Sequence, residues 1–429
     1  MVVLRWPLAV IISCAVILVW IVDLLAILIQ TIGGKSQKRS IAQKKRGLIA
    51  VSHVAWSRKI WQRNHHTMSL LSRRWKVLYC CPVPAQDLAR QPGHFLSIRH
   101  EKAGANLFSF ICPVLPGDTL FPFIKYINRL ILYSALRRYS GSMGINADIL
   151  WFYYPQYNYI LKFFKDSLVV FDIMDDYTAL ARSTWIILER ERELLKQSDY
   201  TFTGTYALFF SRKKYTKNIE FVPCGVEFDH FHQAADASLP VADEMLRFRR
   251  PVIGYIGHVG KDRIDSEILE YLAQSHPEWS IILIGPIELH KKSISHFKNL
   301  YLLGPRNYED LPKYLKSFDI CIIPFLLNPL TRSINPTKLL EYLAAGKPVV
   351  STAIPDVERF YGEIVKIGKD KVEFEREINN LLSSDSNDLV QRGITFAKEK
   401  SWEGMTEKFI DIIEKKMQDK QKERMDKVL

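Results

Sequence analysis

From residue 47 onward the chain repeats one pattern: a short unbroken apolar run, then an amphipathic stretch with helical spacing. Unbroken apolar runs suit strands buried on both faces, which is the condition of parallel sheets covered by helices on either side. In the first half the spacing predicts strands at Gly47–Ser52, Lys76–Cys81, Asp148–Tyr153 and Leu168–Ile173. It predicts helices at Ser57–Arg74, Phe121–Arg138 and Leu188–Lys196, with Phe221–Pro223 closing the half. Asp229–Asp243 lacks apolar periodicity and reads as a linker. The second half predicts strands at Pro251–Ile256, Trp279–Ile284, Leu300–Leu303, Ile320–Pro324 and Pro348–Ser351, with helices at Asp265–Gln274, Tyr308–Ser317 and Pro336–Ala345. The mixed-charge tail after Glu414 reads as a solvated helix end that frays. Two α/β halves in 429 residues match the usual domain size. Such halves hold a ligand between them, at the carboxyl ends of the strands.

The first 34 residues are different. Trp6–Ile32 is apolar apart from Asp23, long enough for a tilted membrane span. A cleaved signal peptide is the rival reading, but no small-x-small site follows and the basic charge lies after the run. Only Arg5 precedes the run, whereas Lys35, Lys38, Arg39, Lys44, Lys45 and Arg46 follow it. The positive-inside rule then puts the rest of the chain in the cytoplasm. Between Lys35 and Ala85 there is no acid, against a net charge of +13 for the whole chain. That stretch is either a solvated face or a contact for anionic lipid head groups; no nucleic-acid-binding signature accompanies it. The six cysteines show no metal or disulfide spacing and suit a reducing compartment.

Several motifs are missing. No Gly-x-Gly-x-x-Gly follows a strand, Gly260-Lys261 lacks the rest of a phosphate loop, and no Asp-x-Asp triplet could hold a metal on a diphosphate. His65 and His66 are adjacent, which does not put both on one metal. One constellation stands out, the segment NPTKLLEYLAAGKPVV at 335–350. Asn335 suits an N-cap and Pro336 the first helical position. Free N–H groups at such a helix start, with Lys338 in the first turn, form an anion site. Glu341 falls one turn deeper on the same face, where a carboxylate could hold a ribose diol. The pattern equally fits an ordinary capped helix whose Lys338 and Glu341 pair with each other.

These residues resemble glycosyltransferases with the two-domain GT-B fold, near family 4 (group 1), in the bacterial cell-surface polysaccharide or teichuronic-acid-type branch. NPTKLLEYLAAGKPVVST is similar to that group's donor-site helix. GYIGHVGKDRIDSEILEYLAQSHPEWSIILIGP resembles the start of its nucleotide-binding domain, and NLYLLGPRNYEDLPKYLKSFDICIIPF the segment that contacts the base. VSHVAW, IWQRNHH, WFYYPQ, FDIMDD and VPCGVEFDHF resemble strand ends and the interdomain turn of the first domain. The resemblance covers roughly residues 47 to 415.

It implies an α/β fold of two Rossmann-like doubly wound domains facing a cleft, behind one transmembrane helix. The units would be an anchor (1–34), a basic linker (35–46), an acceptor-side domain (47–228), a second linker (229–250), a nucleotide-sugar domain (251–400), and a C-terminal helix with a charged tail (401–429). It implies a transferase taking a UDP-sugar or similar donor, with no metal and no further cofactor, to a lipid-linked or glycan acceptor. On the donor side, Lys338, the helix start at Asn335 and the loop Gly257–Gly260 would meet the phosphates, with Arg263 a further candidate. Glu341 would hold the ribose, and Gly304–Asn307, with Arg306 and Asn307, would frame the base. Asp175 and Asp176, after the strand Leu168–Ile173, offer a catalytic base or a pair of helix caps. His53 is a comparable candidate, and Trp61, Gln62 and Arg63 would line the acceptor side. The family also implies retention of anomeric configuration. Two positions depart from it: Ser333 stands where many members carry the first Glu of Glu-x7-Glu, and Cys224 where an Asn usually precedes Gly225. A non-catalytic partner protein and a nucleotide-sugar epimerase are the alternatives.

Overall fold

The computed structural model describes residues 45–56, 61–84, 87, 100–178, 185–288 and 297–426. The run Trp6–Ile32, and with it the expected anchor, lies outside them. Among the described residues no helix is long and apolar enough to cross a membrane.

The chain opens with β1 (Gly47–Val51), helix α1 (Arg63–Arg74), β2 (Lys76–Pro84), β3 (His100–Lys102) and β4 (Leu107–Val114). Then come α2 (Pro122–Ser142), β5 (Ile149–Phe152), β6 (Leu168–Ile173), α3 (Trp185–Gln197), β7 (Tyr200–Thr203), α4 (Tyr206–Arg212) and β8 (Ile219–Phe221). These strands make one sheet in the order β3-β4-β2-β1-β5-β6-β7-β8, parallel except for the edge strand β3. The order reverses direction between β1 and β5, so their carboxyl ends flank a crevice.

A short helix α5 (Phe228–His232) leads to the second sheet. Its elements are β9 (Val252–Ile256), α6 (Ser266–Ser275), β10 (Ser280–Ile284), β11 (Leu300–Gly304), α7 (Leu311–Ser317) and β12 (Ile320–Ile323). They continue with α8 (Thr337–Ala344), β13 (Val349–Thr352), α9 (Pro355–Tyr361), β14 (Lys366–Gly368), α10 (Lys371–Ser383) and α11 (Asn387–Glu399). The order β11-β10-β9-β12-β13-β14 is all parallel and reverses between β9 and β12.

The central strands are short, rich in β-branched residues and fully buried: GLIAV, ILWF, VIGYI, ICII. Those are the runs visible in the sequence. Strand β4 (LFSFICPV) and strand β7 (YTFT) mix polar residues into the run and escape that reading. The stretch expected to be a bare linker is partly helical. Its Phe231, Ala234 and Met245 enter the core of the second domain.

The last helix, α12 (Trp402–Asp426), crosses back and packs on the first domain. Met405, Phe409, Ile410 and Ile413 join Leu48, Ala50, Trp151 and Phe202 in one buried cluster. Its tail does not fray where the charge pattern suggested. Lys420 Nζ bonds the Ser167 carbonyl at 2.9 Å and Asp199 at 2.7 Å, which holds the helix down beyond Glu414.

Candidate active site

On the second domain the site is built where the strand order reverses. The loop after β9 and the loop after β10 are pressed together. Gly257 N–H donates to the Ile284 carbonyl and Val259 N–H to the Pro286 carbonyl, both at 2.8 Å. Gly285 takes φ +137°, and a Cβ there would fall on the Gly257 carbonyl, so only glycine allows the approach. A Cβ on Gly260 would meet His258 and Asp262 side chains within 2.7 Å. Gly260 therefore fits the tight turn, while the N–H groups of Gly257 and Val259 are engaged in holding the two loops.

Helix α8 is locked to this loop by Tyr342. Its hydroxyl accepts from Ile256 N–H at 2.8 Å and donates to the Ile256 carbonyl at 3.0 Å. One turn earlier, Lys338 Nζ lies 3.1 Å from both oxygens of Glu341. The two residues expected at a donor site thus form the ordinary ion pair. Glu341 is nearly buried, while Lys338 stays partly open. The cap differs from the sequence reading: Pro336, in extended backbone, is the N-cap. Asn335 instead accepts a hydrogen bond from Tyr361 at 3.2 Å, and its side chain also bonds Asp356.

Arg263 sits on a small bridge in which Ile264 pairs with Phe325. Its Nε is buried with no hydrogen-bond partner among the described residues. An orphan guanidinium N–H of that kind suits an anion. Arg306 is placed differently from the expectation. Its guanidinium is taken by Glu244 at 2.6 and 2.8 Å, by Tyr314 and by the Leu303 carbonyl. It braces the β11 turn rather than facing a base. Asn307 leads into the turn Tyr308–Asp310 and is exposed. Glu227 and Tyr308 escape the sequence reading. The Tyr308 hydroxyl bonds Glu227 at 2.5 Å, its ring stacks on His230, and Glu341 acts on it electrostatically.

On the first domain, His53 follows β1 and Asp175 follows β6. The His53 ring lies 4.6 Å from that of Tyr154, at the end of β5. Both side chains are open to water yet walled by protein, as at the floor of a cleft. That crowding raises the Asp175 carboxyl above the usual range, against the opposing pull of His53 and Arg263. The same desolvation lowers the His53 pKa, with Asp175 opposing.

Asp176 has another role. Burial works to raise its pKa, but hydrogen bonds from Thr178 and Arg212 more than offset this and lower it. Arg212 Nη2 lies 2.8 Å away and also pairs with Glu191. Across the cleft the Ser333 hydroxyl donates to Asp176 at 3.2 Å. The position expected to carry a carboxylate thus bonds to one held by the opposite domain.

The presumed acceptor-side trio divides. Arg63 is fully buried and bidentate on Asp172, with Nη1 2.6 Å from the Val222 carbonyl. It is a core strut, not a lining residue. Gln62 caps α1, its N–H donating to His65 Nδ1 at 3.1 Å. Trp61 is half-exposed and packs on Trp56 and His66.

The model for "Glycosyl transferases group 1" matches residues 250–384. A putative teichuronic acid biosynthesis glycosyltransferase, TuaH of Bacillus subtilis (strain 168), is 26% identical over 340 residues, covering 72% of this chain and 82% of that one. Among solved structures, sucrose-phosphate synthase from Thermosynechococcus elongatus superposes with a TM-score of 0.64 at 15% identity, over 86% of this chain and 99% of that one. Anabaena HepE in complex with UDP and glucose gives 0.61 at 11% identity, over 86% and 99%. Together the sequence matches and the shared two-domain architecture identify the chain as a glycosyltransferase of the GT-B fold.

Proposed function

We propose that this enzyme moves a sugar from a UDP-sugar, or a similar nucleotide-diphosphate sugar, to a lipid-linked or polysaccharide acceptor during cell-surface glycan synthesis. The observation that carries the reading is the Lys338–Glu341 pair on the first turns of α8, tied by Tyr342 to the glycine loop after β9. A diphosphate would draw the Lys338 ammonium from Glu341 and free that carboxylate for a ribose diol. Support for the donor class comes from the UDP-bound relative of the same fold, and for the glycan from the name of the Bacillus relative.

The reaction exchanges one bond for another. The acceptor oxygen bonds the anomeric carbon, and the bond from that carbon to the β-phosphate oxygen breaks. Charge grows on the departing diphosphate, where Lys338, Arg263 and the α8 start would stabilise it. The hydroxyl proton passes to Asp175, whose raised pKa suits a base better than an ordinary carboxylate. Neutral His53 beside it would orient the carboxylate. Asp176, held by Arg212 and Ser333, would keep the two sides of the cleft in register. The apolar run Trp6–Ile32 would tether the enzyme to the cytoplasmic face of the membrane, beside a lipid-linked acceptor.

The test is a thermal-shift screen of the full chain in detergent against nucleoside diphosphates and their sugars. UDP and UDP-sugars should raise the melting temperature, and Lys338→Ala should remove the shift. No shift with any nucleotide would sink the donor site.

A further inference from the structure

Where β4 gives way to α2, the surface is unusually apolar. Leu120 is 74% exposed, Phe121 50%, Phe123 63% and Tyr126 57%. Single exposed apolar residues are ordinary, but four large ones within seven positions form a patch that calls for a partner. The charge that α2 itself carries has one sign, and the acid of α3 that acts on Lys125, Glu193, accepts a hydrogen bond from Asn158 at 2.8 Å. Helix α2 (PFIKYINRLILYSALRRYSGS) contains no acid, and Lys125 and Arg129 stand among the rings. Arg129 lies over the Tyr126 ring, and its Nε is buried without a partner among the described residues. The acid of the preceding turn, Asp118, is turned inward on Arg190 and Gln156.

Charge decides among the occupants. A second copy of this face would set cations against cations. The chain's own run Trp6–Ile32 is apolar enough but offers a single acid, Asp23. An anionic bilayer surface matches both the rings and the cations. It also takes over a role that the basic stretch 35–85 fills less well than its composition suggested. Arg63 pairs with Asp172, Arg73 with Glu403 and Arg74 with Glu414, so three of those cations are matched within the protein. Reach is sufficient too. Residues 33–46 can span about 45 Å when extended, against a radius of gyration of about 16 Å for a domain of this size.

We propose that the turn before α2 and its first two turns form a second, peripheral contact with an anionic membrane surface, aromatic side chains entering the head-group boundary and Lys125 and Arg129 facing lipid phosphates. The proposal deepens the membrane-side acceptor reading and rests on it. Helix α2 begins at the carboxyl end of the first sheet, the edge that faces the cleft, so the contact would hold the acceptor side of the cleft against the leaflet.

The test uses the full chain in nanodiscs of phosphatidylcholine alone or mixed with phosphatidylglycerol. Amide hydrogen exchange is read over residues 117–130, with UDP binding measured in parallel. Exchange should slow at least tenfold in the anionic discs relative to the neutral ones. The triple variant Leu120→Ser, Phe121→Ser, Phe123→Ser should lose that protection and keep its UDP affinity. Equal exchange in both disc types overturns the proposal; if both are protected, the cover is the chain itself or a second copy. Protection that survives in the triple variant overturns it as well. Failure of UDP to bind any form would instead count against the donor reading and leave the exchange result standing.

Discussion

Lys338 and Glu341 pair across 3.1 Å, and the solvent-open Lys338 end limits what the pair adds to stability to about 0–1 kcal/mol. Their loss should therefore be felt in catalysis. Lys338→Ala and Glu341→Ala are each expected to lower transfer at least tenfold, about 1.4 kcal/mol of transition-state stabilisation, with melting temperatures shifted by a few degrees at most. Steady-state kinetics with calorimetry checks both halves. The two aspartates should part company. Asp175→Asn should abolish transfer while donor affinity holds. Asp176→Asn breaks the link from Arg212 to Ser333 and should cost stability as well as rate. The Asp175 pKa is raised, so the acidic limb of the wild-type pH–rate profile should lie above the ordinary carboxylate range. Lys338 and Glu341 were legible because both sit within one helix turn of each other. Asp176 was not, because Arg212 and Ser333 come from 36 and 157 residues away. Arg306 misled for the same reason: its partner Glu244 is 62 residues upstream, in the stretch read as linker.

Two seams between elements carry consequences of their own. The loops after β9 and β10 meet backbone to backbone at Gly257 and Gly285. Gly285→Ala must force them apart, so the variant should lose UDP binding and melt earlier, read by calorimetry with and without UDP. The second seam joins α1 to α12, where the His66 ring stacks on Trp402 at 4.6 Å. Burial, with a smaller push from His65, lowers the His66 pKa to about 3. An unfolded chain protonates this histidine near 6.5, the folded one only near 3. The neutral ring is therefore fully compatible with folding above pH 6.5, and stability falls as pH drops from there toward 3. His66→Gln should be less stable at pH 7.5 and show a shallower acid slope, measurable by urea unfolding across a pH series. Among elements, the unbroken apolar strands were legible because burial on both faces leaves one composition. Strand β4, next to the edge, alternates and so does not show that single composition.

The chain passes between domains twice, and the two crossings touch. Val226 pairs with Ser401, and a Cβ on Gly225 would meet the Trp402 backbone at 2.7 Å. Everything between these points is a closed excursion, after which α12 completes the first domain. Met405, Phe409, Ile410 and Ile413 are each fully or nearly buried there. At roughly 1.5–3 kcal/mol per side chain they contribute about 6–12 kcal/mol, comparable with a whole domain's net stability. A chain ending at Ser401 should therefore show one cooperative transition, that of the second domain, and a first domain that has lost its own; differential scanning calorimetry against the full chain decides it. The two-domain plan was legible in the alternation of strands and helices. The return of the last helix was not, since its apolar positions say that it packs and not upon what. The same crossing sets an order on synthesis. The sheet face that α12 covers is complete by Val222, but Phe409 is made nearly 190 residues later. At about 5–20 residues per second, the ribosome leaves that face bare for roughly ten to forty seconds. The second domain can fold within that interval, and a chaperone that holds apolar sheet faces has its opening there.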